Sequence, residues 1–450
     1  MSINKSIISE AILHANDDAN RTVDIRNGIV SIHYYEDIFS PTITAKIQVV
    51  NAGGAITPRN NSRRACKMSI YNGLPLRGGE KLDIKIAGNS SSNPGLNFST
   101  TETTLYVQSI SDVLASDDKE TFTLHLVSKE AIANEVTRVK KRYSGNILDS
   151  VKLILENVLK TTNFDASKFD KVANSYDFIG NMRKPFWVLQ WLASKCVPTI
   201  ANETAGFVFY QTRDGFHFKS IDNLIKKRAK ATYTYTEGIQ SYDENDRQVN
   251  NDRKILNYTI KRNQNLIEKL RLGTFSSERH FFNPLTFTFS SNDVYGENRY
   301  KNKVKSLGSE LNIPKIEGLD LNLGQTSSRI VSGVFDVGAV TGKEVIKDES
   351  YKNADPTKYQ SQSFMRYNTL FLQTLDITVP SNTNLRAGDV IECLFPLVSE
   401  SKNKEFDDET SGLYMIKDLC HYFDETRSFT TMKLVRDTHG INTEERDDND

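Results

Sequence analysis

The sequence is poor in cysteine, and the cysteines that it has lie far apart. Cys66, Cys196, Cys393 and Cys420 are the four in 450 residues, and no two of them have the short spacing of a zinc-ligand pair. We therefore expect neither a zinc site nor a disulfide framework. The four side chains are interpreted as small buried hydrophobes in a reducing compartment.

The sequence also lacks a long uninterrupted apolar run. No stretch approaches the roughly 20 apolar residues that cross a bilayer, and the first eighteen residues have no apolar core of the kind found in a signal peptide. We expect a soluble chain that is made in the cytoplasm.

Charge of either sign is not in excess, because 57 basic side chains are balanced by 57 acidic ones. A general binder of nucleic acid or of an anionic membrane needs a clustered basic surplus, so neither class is expected. Two local basic clusters lie at residues 138–142 and 226–230, and neither is interleaved with aromatic residues. A solvated face or a contact between chains is the preferred interpretation of each cluster, and a nucleic-acid patch is the alternative.

Common catalytic motifs are absent: there is no G-x-S-x-G, no H-E-x-x-H, no G-x-x-x-x-G-K-[ST] and no G-x-G-x-x-G after a strand. Cys420 and His421 are adjacent, but neighbouring side chains of a strand point to opposite faces and do not easily share a metal. We predict no catalytic residue, no metal ligand and no cofactor. The separation of a carboxylate pair depends on the fold, so a glycosidase or peptidase that degrades cell wall is kept as the alternative function.

The segment from Leu370 to Asp437 has the strand patterns of a complete antiparallel β-module. Its first strand alternates apolar Leu375, Ile377 and Val379 with polar neighbours, which is typical of a half-buried strand. A Gly388–Asp389 turn precedes a second strand at 390–395, and residues 411–416 are expected to pair with 429–435.

Residues 22–127 have the same period of two and predict an earlier β-domain, interrupted by a polar stretch at 88–101 that is interpreted as an exposed loop. Helical periodicity begins at Ser128, recurs at 147–159 and again after Pro185. Residues 206–221 predict a hairpin with an Asp-Gly turn. Asn263 is a candidate cap for a short helix that ends at Gly273.

Several of these motifs, in this order, resemble the baseplate hub proteins of T-even-like contractile-tail phages and the related N-terminal part of type VI secretion spikes. The segments that carry the resemblance are 183–192, 207–221, 376–380, 387–391, 411–416, 421–423 and 430–437. Each motif is weak alone, and the resemblance covers nearly the whole chain from about Val23 to Asp437. The polar insert near 339–361 and the acidic C-terminal segment depart from the pattern, and their roles stay open.

The resemblance implies an α+β, β-dominated fold with two tube-like antiparallel β-barrel or sheet domains, a helical insertion and a further inserted domain. The first tube-like domain is expected at 1–127 and the helical insertion at 128–205. The second tube-like domain is expected at 206–235 and 362–437, around an inserted domain at 236–361. An acidic tail follows at 438–450.

The resemblance also implies a structural role in the virion, at the phage tail baseplate, after assembly in the host cytoplasm. Three copies would form a homotrimer that adapts the sixfold tail tube to the threefold central spike and lines the DNA channel. The implied partners are the central spike protein, tail-tube or tube-initiator proteins, the surrounding baseplate wedge proteins and the DNA in transit. Six polar positions are the candidates for the channel-facing surface: Thr44, Lys46, Gln48, Thr374, Asp376 and Thr378.

Overall fold

The computed structural model of the 450-residue chain describes most of the two β-domains and the helical region. The described residues are 4–16, 20–51, 68–90, 93–117, 119–200, 204–236, 251–262, 265–284, 287–291, 296, 305–309, 311, 313, 315–318, 321–336, 338–339, 359–397 and 406–440. Cys66, the predicted cap Asn263, most of the 339–361 insert and residues 441–450 lie outside them.

The first β-domain is a single sheet in the order β3-β4-β8-β7-β5-β1-β2, with β6 paired to β5. Its elements are β1 (Ile7–His14), β2 (Thr22–Asp24), β3 (Ile29–Asp37), β4 (Thr44–Asn51), α1 (Ile70–Gly73), β5 (Lys81–Ala87), β6 (Gly95–Phe98), β7 (Leu105–Ala115) and β8 (Glu120–Ser128). Alternate residues of each strand, such as Ala45, Ile47 and Val49, enter one apolar core. The prediction of an exposed loop over 88–101 is wrong in part, because Leu96 and Phe98 alternate with Asn97 and are buried.

The helical region follows and has its own core. It contains α2 (Lys129–Val136), β9 (Arg142–Tyr143), α3 (Ile147–Ile154), β10 (Phe178–Ile179) and α4 (Pro185–Ala193). The apolar residues predicted at helical spacing, including Ile147, Val151 and Leu189, are buried together. Pro185 is in the first turn of α4, as the sequence predicts. Ser128 occupies the N-cap position of α2, but its side chain makes no capping hydrogen bond.

The hairpin formed by β11 (Phe207–Thr212) and β12 (Gly215–Ser220) is a separate two-stranded sheet. One of its faces, with Phe209 and Phe216, packs into the helical core, whereas Val208 and Tyr210 pack beside the final module. The hairpin therefore joins these two regions and does not supply strands to the second β-domain, in contrast to the expectation from sequence. Both faces of the hairpin are buried, so its first strand has apolar residues at consecutive positions, as in the central strand of a sheet.

The second β-domain is a closed barrel. Its strands are β13 (Ala229–Tyr235), β14 (Lys254–Ile255), β15 (Asn257–Arg262), β19 (Gln373–Pro380), β20 (Val390–Leu394), β21 (Gly412–Asp424) and β22 (Ser428–Arg436). β13 pairs with β14 and β20 in parallel, and β20, β21, β22, β19 and β15 follow in antiparallel steps. β14 and β15 are consecutive parts of one segment, which pairs with β13 at one end and with β19 at the other and so closes the barrel. The barrel surrounds an apolar core that includes Leu375, Ile377 and Tyr414.

The remaining elements are α5 (Ile221–Lys226), α6 (Leu266–Leu272), β16 (Ser277–Asn283), β17 (Thr288–Ser291), β18 (Arg329–Val334) and α7 (Gln360–Thr369). β16 lies between β17 and β18 in a small sheet of the inserted region. The side chain of Asn265, and not Asn263, caps α6 by accepting a hydrogen bond from the amide of Glu268 at 3.1 Å. Gly273 ends this helix with a φ of 71°, as predicted.

One strand belongs to both β-domains. The first residues of β21 pair with β20, and Asp418 to Asp424 pair with β3 of the first domain. A single sheet therefore runs from the barrel into the first β-domain. This organisation confirms the predicted β-dominated fold, and the parallel pairs of β13 make the sheet mixed.

Arg436 and Asp437 at the end of β22 are both fully buried. The carboxylate of Asp437 accepts a hydrogen bond from a guanidinium nitrogen of Arg366 at 2.7 Å. Asp222 lies 2.7 Å from the Nε of the same guanidinium. These three charges connect α5, α7 and the end of the barrel inside the protein.

His421 is also fully buried, in the strand that the two β-domains share. Its Nδ1 lies 3.0 Å from the hydroxyl of Thr430, and its ring stacks at 6.1 Å on Tyr34. Burial, with smaller contributions from Arg386 and Arg213, lowers the pKa of His421 to about 3. His421 is therefore a neutral side chain in the interior of the sheet, within hydrogen-bonding distance of Thr430.

The neutral state of His421 makes stability depend on pH. Its pKa is about 6.5 in an unfolded chain, so below that pH the unfolded chain binds a proton that the folded chain does not. Acidification from pH 7 to pH 5 is expected to lower the free energy of unfolding by about 2 kcal/mol through this residue alone. Urea unfolding of the parent and of His421→Gln at both pH values measures the difference, and an equal loss in the two proteins would contradict the assignment.

Among the described residues, none of the helices has the length and apolar content needed to cross a bilayer. Cys196 and Cys393 are buried and free, as expected, and Cys420 is half-buried.

Candidate channel-facing sheet

The six predicted channel-facing residues lie on two strands that belong to the same continuous sheet. Thr44, Lys46 and Gln48 alternate along β4 with core residues of the first domain. Thr374, Asp376 and Thr378 alternate along β19 with core residues of the barrel. Gln48 is exposed and the other five are half-buried, so none of the six is buried in either core.

The register of the sheet places both triplets on one face. Thr378 lies opposite Thr431 of β22, which lies opposite Cys420 of β21. Cys420 in turn lies opposite Tyr35 of β3, and Tyr35 opposite Thr44. Directly opposed residues point to the same side of a sheet, so this row of five side chains crosses from the barrel to the first domain without a change of face.

Two further cross-strand rows lie on either side of the first. One joins Asp376 to Lys433, Asp418 and Asp37, and the other joins Phe429 to Tyr422, His33 and Lys46. We call this surface the outer face, and it consists of Thr374, Asp376, Thr378, Phe429, Thr431, Lys433, Asp418, Cys420, Tyr422, His33, Tyr35, Asp37, Thr44, Lys46 and Gln48. Four steps between neighbouring strands separate β19 from β4, a width of about 19 Å.

The three carboxylates of the outer face are paired with lysines that lie beside it. Asp376 lies 2.8 Å from Lys261, and Lys417 lies 2.8 Å from Asp37 and 2.9 Å from Asp418. Pairs at this level of exposure contribute at most about 1 kcal/mol each to stability. Their main effect is to leave a polar surface with little net charge, which would neither hold a polyanion tightly nor repel it strongly.

A stripe of aromatic rings crosses the polar surface. The His33 ring lies 4.7 Å from that of Tyr422, and the Tyr422 ring stacks at 4.4 Å on Phe429. Burial, followed by the charge of Lys46, lowers the pKa of His33, so this imidazole is neutral at physiological pH. Burial also raises the pKa of Tyr35 and of the Cys420 thiol to about 12, so the stripe carries no ionised ring or thiolate.

Sequence reasoning identified six residues of the outer face and missed the residues on β3, β21 and β22. The missed residues do alternate with buried ones in the sequence. On β3, Tyr34 is buried between His33 and Tyr35, and on β21, His421 is buried between Cys420 and Tyr422. The signal was ambiguous, because an aromatic or histidine side chain is as typical of a core as of a half-buried face.

Within the described ranges there is no group of three or more His, Cys, Asp or Glu side chains placed to hold a metal ion. Cys420 and His421 point to opposite sides of β21, since one is on the outer face and the other is in the interior.

The fold and this face define a β-dominated protein in which two β-domains share one sheet with a common polar surface. In sequence the chain is similar to the probable baseplate hub protein gp334 of Vibrio phage KVP40, with 19% identity over 295 residues. The match covers 64% of this chain and 66% of the relative, just under two thirds of its length. The resemblance to phage baseplate hub proteins that the motifs indicated is thereby confirmed. No family model matches the chain.

The comparison with solved structures includes two tail proteins with TM-scores just below 0.5. A tail protein from Neisseria meningitidis MC58 has a TM-score of 0.48 and 11% identity, over 95% of this chain and 96% of its own. The 43 kDa tail protein of prophage MuSo2 from Shewanella oneidensis has a TM-score of 0.48 and 9% identity, over 95% of this chain and 98% of its own.

Proposed function

We propose that this chain is the structural hub of a contractile phage tail baseplate, located in the virion. Three copies form a ring that adapts the sixfold tail tube to the threefold central spike, and the outer face lines the channel through which DNA passes. The partners are the spike protein, tube or tube-initiator proteins and the surrounding wedge proteins. The chain acts by assembly and does not turn over a substrate.

The observation that carries this proposal is the continuity of the outer face. A ring with sixfold character built from three chains needs two similar wall segments in each chain, next to each other and facing the same way. The rows that join Thr44 to Thr378 and Lys46 to Phe429 support this arrangement, because they place residues of both β-domains on one face of the sheet. The similarity to a probable baseplate hub protein supports the same role.

The character of the face also suits passage of DNA. Paired charges such as Lys261 with Asp376 reduce the attraction that a basic wall would exert on phosphate groups. The threonines keep much of the surface polar, and the rings of His33, Tyr422 and Phe429 form a single stripe across it.

Mass in solution with negative-stain imaging tests the proposal. We expect a species of three chains, each of 50.9 kDa, that appears as a ring with a central channel, either alone or after addition of the spike protein. A stable monomer under both conditions would contradict the proposal, and cell-wall lysis that is lost on changing one carboxylate would favour the enzyme alternative.

A further inference from the structure

A basic groove lies on the helical region, remote in sequence from the outer face. It has a volume of about 610 Å³ and is lined by the last residue of α2, the 137–144 segment, Leu153 of α3 and residues 157–158 that follow this helix. Arg138, Lys140, Lys141 and Arg142 contribute cationic groups, and no acidic residue lines it. This is one of the two basic clusters that the sequence left with open interpretations.

Most of the positive charge in the groove is not neutralised within the described part of the chain. Arg142 is paired with Asp177 at 3.0 Å, but Lys140 and Lys141 are exposed and make no ion pair with any described residue. The guanidinium of Arg138 donates to the carbonyl oxygens of Glu135 and Thr137, at 2.9 and 2.6 Å, which holds its position without cancelling its charge. Arg138 also interacts electrostatically with the carboxylate of Glu135, so Lys140 and Lys141 are the two cations that no described carboxylate neutralises. In a chain with no net charge, two such neighbouring cations beside two arginines indicate an anionic partner.

The groove also has apolar side chains, which help to decide which class of anionic molecule it binds. Val136 is 79% exposed and Leu153 is 46% exposed, and both line the groove. A phosphate backbone gains nothing from an aliphatic surface, and single-stranded nucleic acid needs exposed aromatic rings for stacking, whereas Tyr143, the aromatic residue of the lining, is buried. Cations beside an aliphatic surface fit a polypeptide segment that carries carboxylates and an aliphatic side chain.

The chain itself contains a segment with this composition. Residues 441–450 read INTEERDDND, with one aliphatic side chain at Ile441, five carboxylates and one arginine, so the net charge of the side chains is 1 − 5 = −4. The last described residue is Gly440, and the ten residues after it span at most about 33–36 Å when extended.

We propose that the basic groove binds the acidic segment, residues 441–450 of this chain, with the carboxylates near Arg138, Lys140 and Lys141 and the aliphatic side chain of Ile441 against Val136 and Leu153. The proposal does not depend on the hub function. It assigns a role to two parts of the sequence, the 138–142 cluster and the acidic segment, that the outer face does not use.

The test uses a fluorescent peptide of residues 438–450 and fluorescence anisotropy. The acceptor is the full-length chain in which the five carboxylates of its own segment are neutralised (E444Q/E445Q/D447N/D448N/D450N). We expect saturable binding that weakens as salt is raised. The unmodified chain should bind the peptide several-fold more weakly, because its own segment competes for the groove.

Charge reversal in the groove provides the decisive comparison. K140E/K141E in the same acceptor is expected to lower the affinity about tenfold or more, because each change replaces an attraction by a repulsion. K168E/K171E is the matched control, since these two lysines are also exposed in the helical region but do not line the groove. All four changes are at the surface, so circular dichroism and thermal unfolding should match the parent.

Three outcomes would overturn the proposal. These are equal binding by the groove and control variants, equal binding by the unmodified and neutralised chains, and displacement of the peptide by a short DNA duplex at a lower concentration than by unlabelled peptide. The last outcome would assign the groove to nucleic acid. A peptide with Ile441→Ala should bind a few-fold more weakly, and unchanged binding would contradict the aliphatic contact.

Discussion

Replacement of Arg366 by methionine is expected to lower the free energy of unfolding by about 3–5 kcal/mol, the range for removal of one partner from a buried ion pair. The guanidinium is fully buried between the carboxylates of Asp222 and Asp437, at 2.7 Å from each. Without it, two buried carboxylates lose the cation that lies between them. Because these residues lie on α5, α7 and the end of β22, the loss should affect the packing of the hairpin region against the barrel.

Urea unfolding monitored by circular dichroism measures this effect, and Arg427→Met is the matched control. Arg427 lies 3.6 Å from Asp424, but its side chain is 65% exposed. An exposed pair contributes at most about 1 kcal/mol. If both variants lose the same free energy of unfolding, the buried ion pairs of Arg366 contribute no more to stability than an exposed pair, and the prediction is wrong.

Replacement of Thr44 and Thr378 by leucine is expected to strongly reduce the number of infectious particles without preventing folding. Both threonines lie on the same row of the outer face, so the double variant places two aliphatic side chains on the proposed channel wall. Neither side chain is in a core, and the change in stability should stay within about 0.5 kcal/mol for each. Plaque titre divided by the particle count from electron microscopy measures the effect.

The control is Thr101→Leu with Thr162→Leu, two exposed threonines that lie outside the outer face. This variant should keep a normal ratio of plaques to particles. If the two double variants have the same ratio, or if T44L/T378L fails to fold, the assignment of these threonines to the channel wall is contradicted.

The fold could be predicted from sequence wherever local periodicity decides the structure. Leu375, Ile377 and Val379 alternate because one side of β19 is buried, and Pro185 marks the start of α4. The pairing of residues 415–416 with 434–435 could also be predicted from sequence, because the two strands are close in sequence and joined by a short turn.

Long-range pairing could not be predicted in the same way. Residues 254–262 have a strand pattern, but nothing in it specifies that one end pairs with β13 and the other with β19 to close the barrel. The α7 sequence is largely polar, and the sequence analysis did not identify that helix. The burial of charged residues such as Arg366 could not be predicted for a related reason. Its partners at positions 222 and 437 come next to it only in the complete fold.

The candidate face was predicted in part. Polar alternation identified Thr44 and Thr378 separately, but only the register through β3, β21 and β22 shows that the two belong to one row. The aromatic stripe on the same face was missed, because the sequence does not reveal which side of a strand meets solvent when both sides carry rings.

A cryo-electron microscopy map of the assembled chain with its spike protein tests the central claim most directly. The account predicts three copies around a central channel, with the rows that contain Thr44, Lys46, Asp376 and Thr378 on the channel wall. A map in which the outer face is turned away from the channel, is buried between copies, or belongs to a particle without a channel would contradict the account.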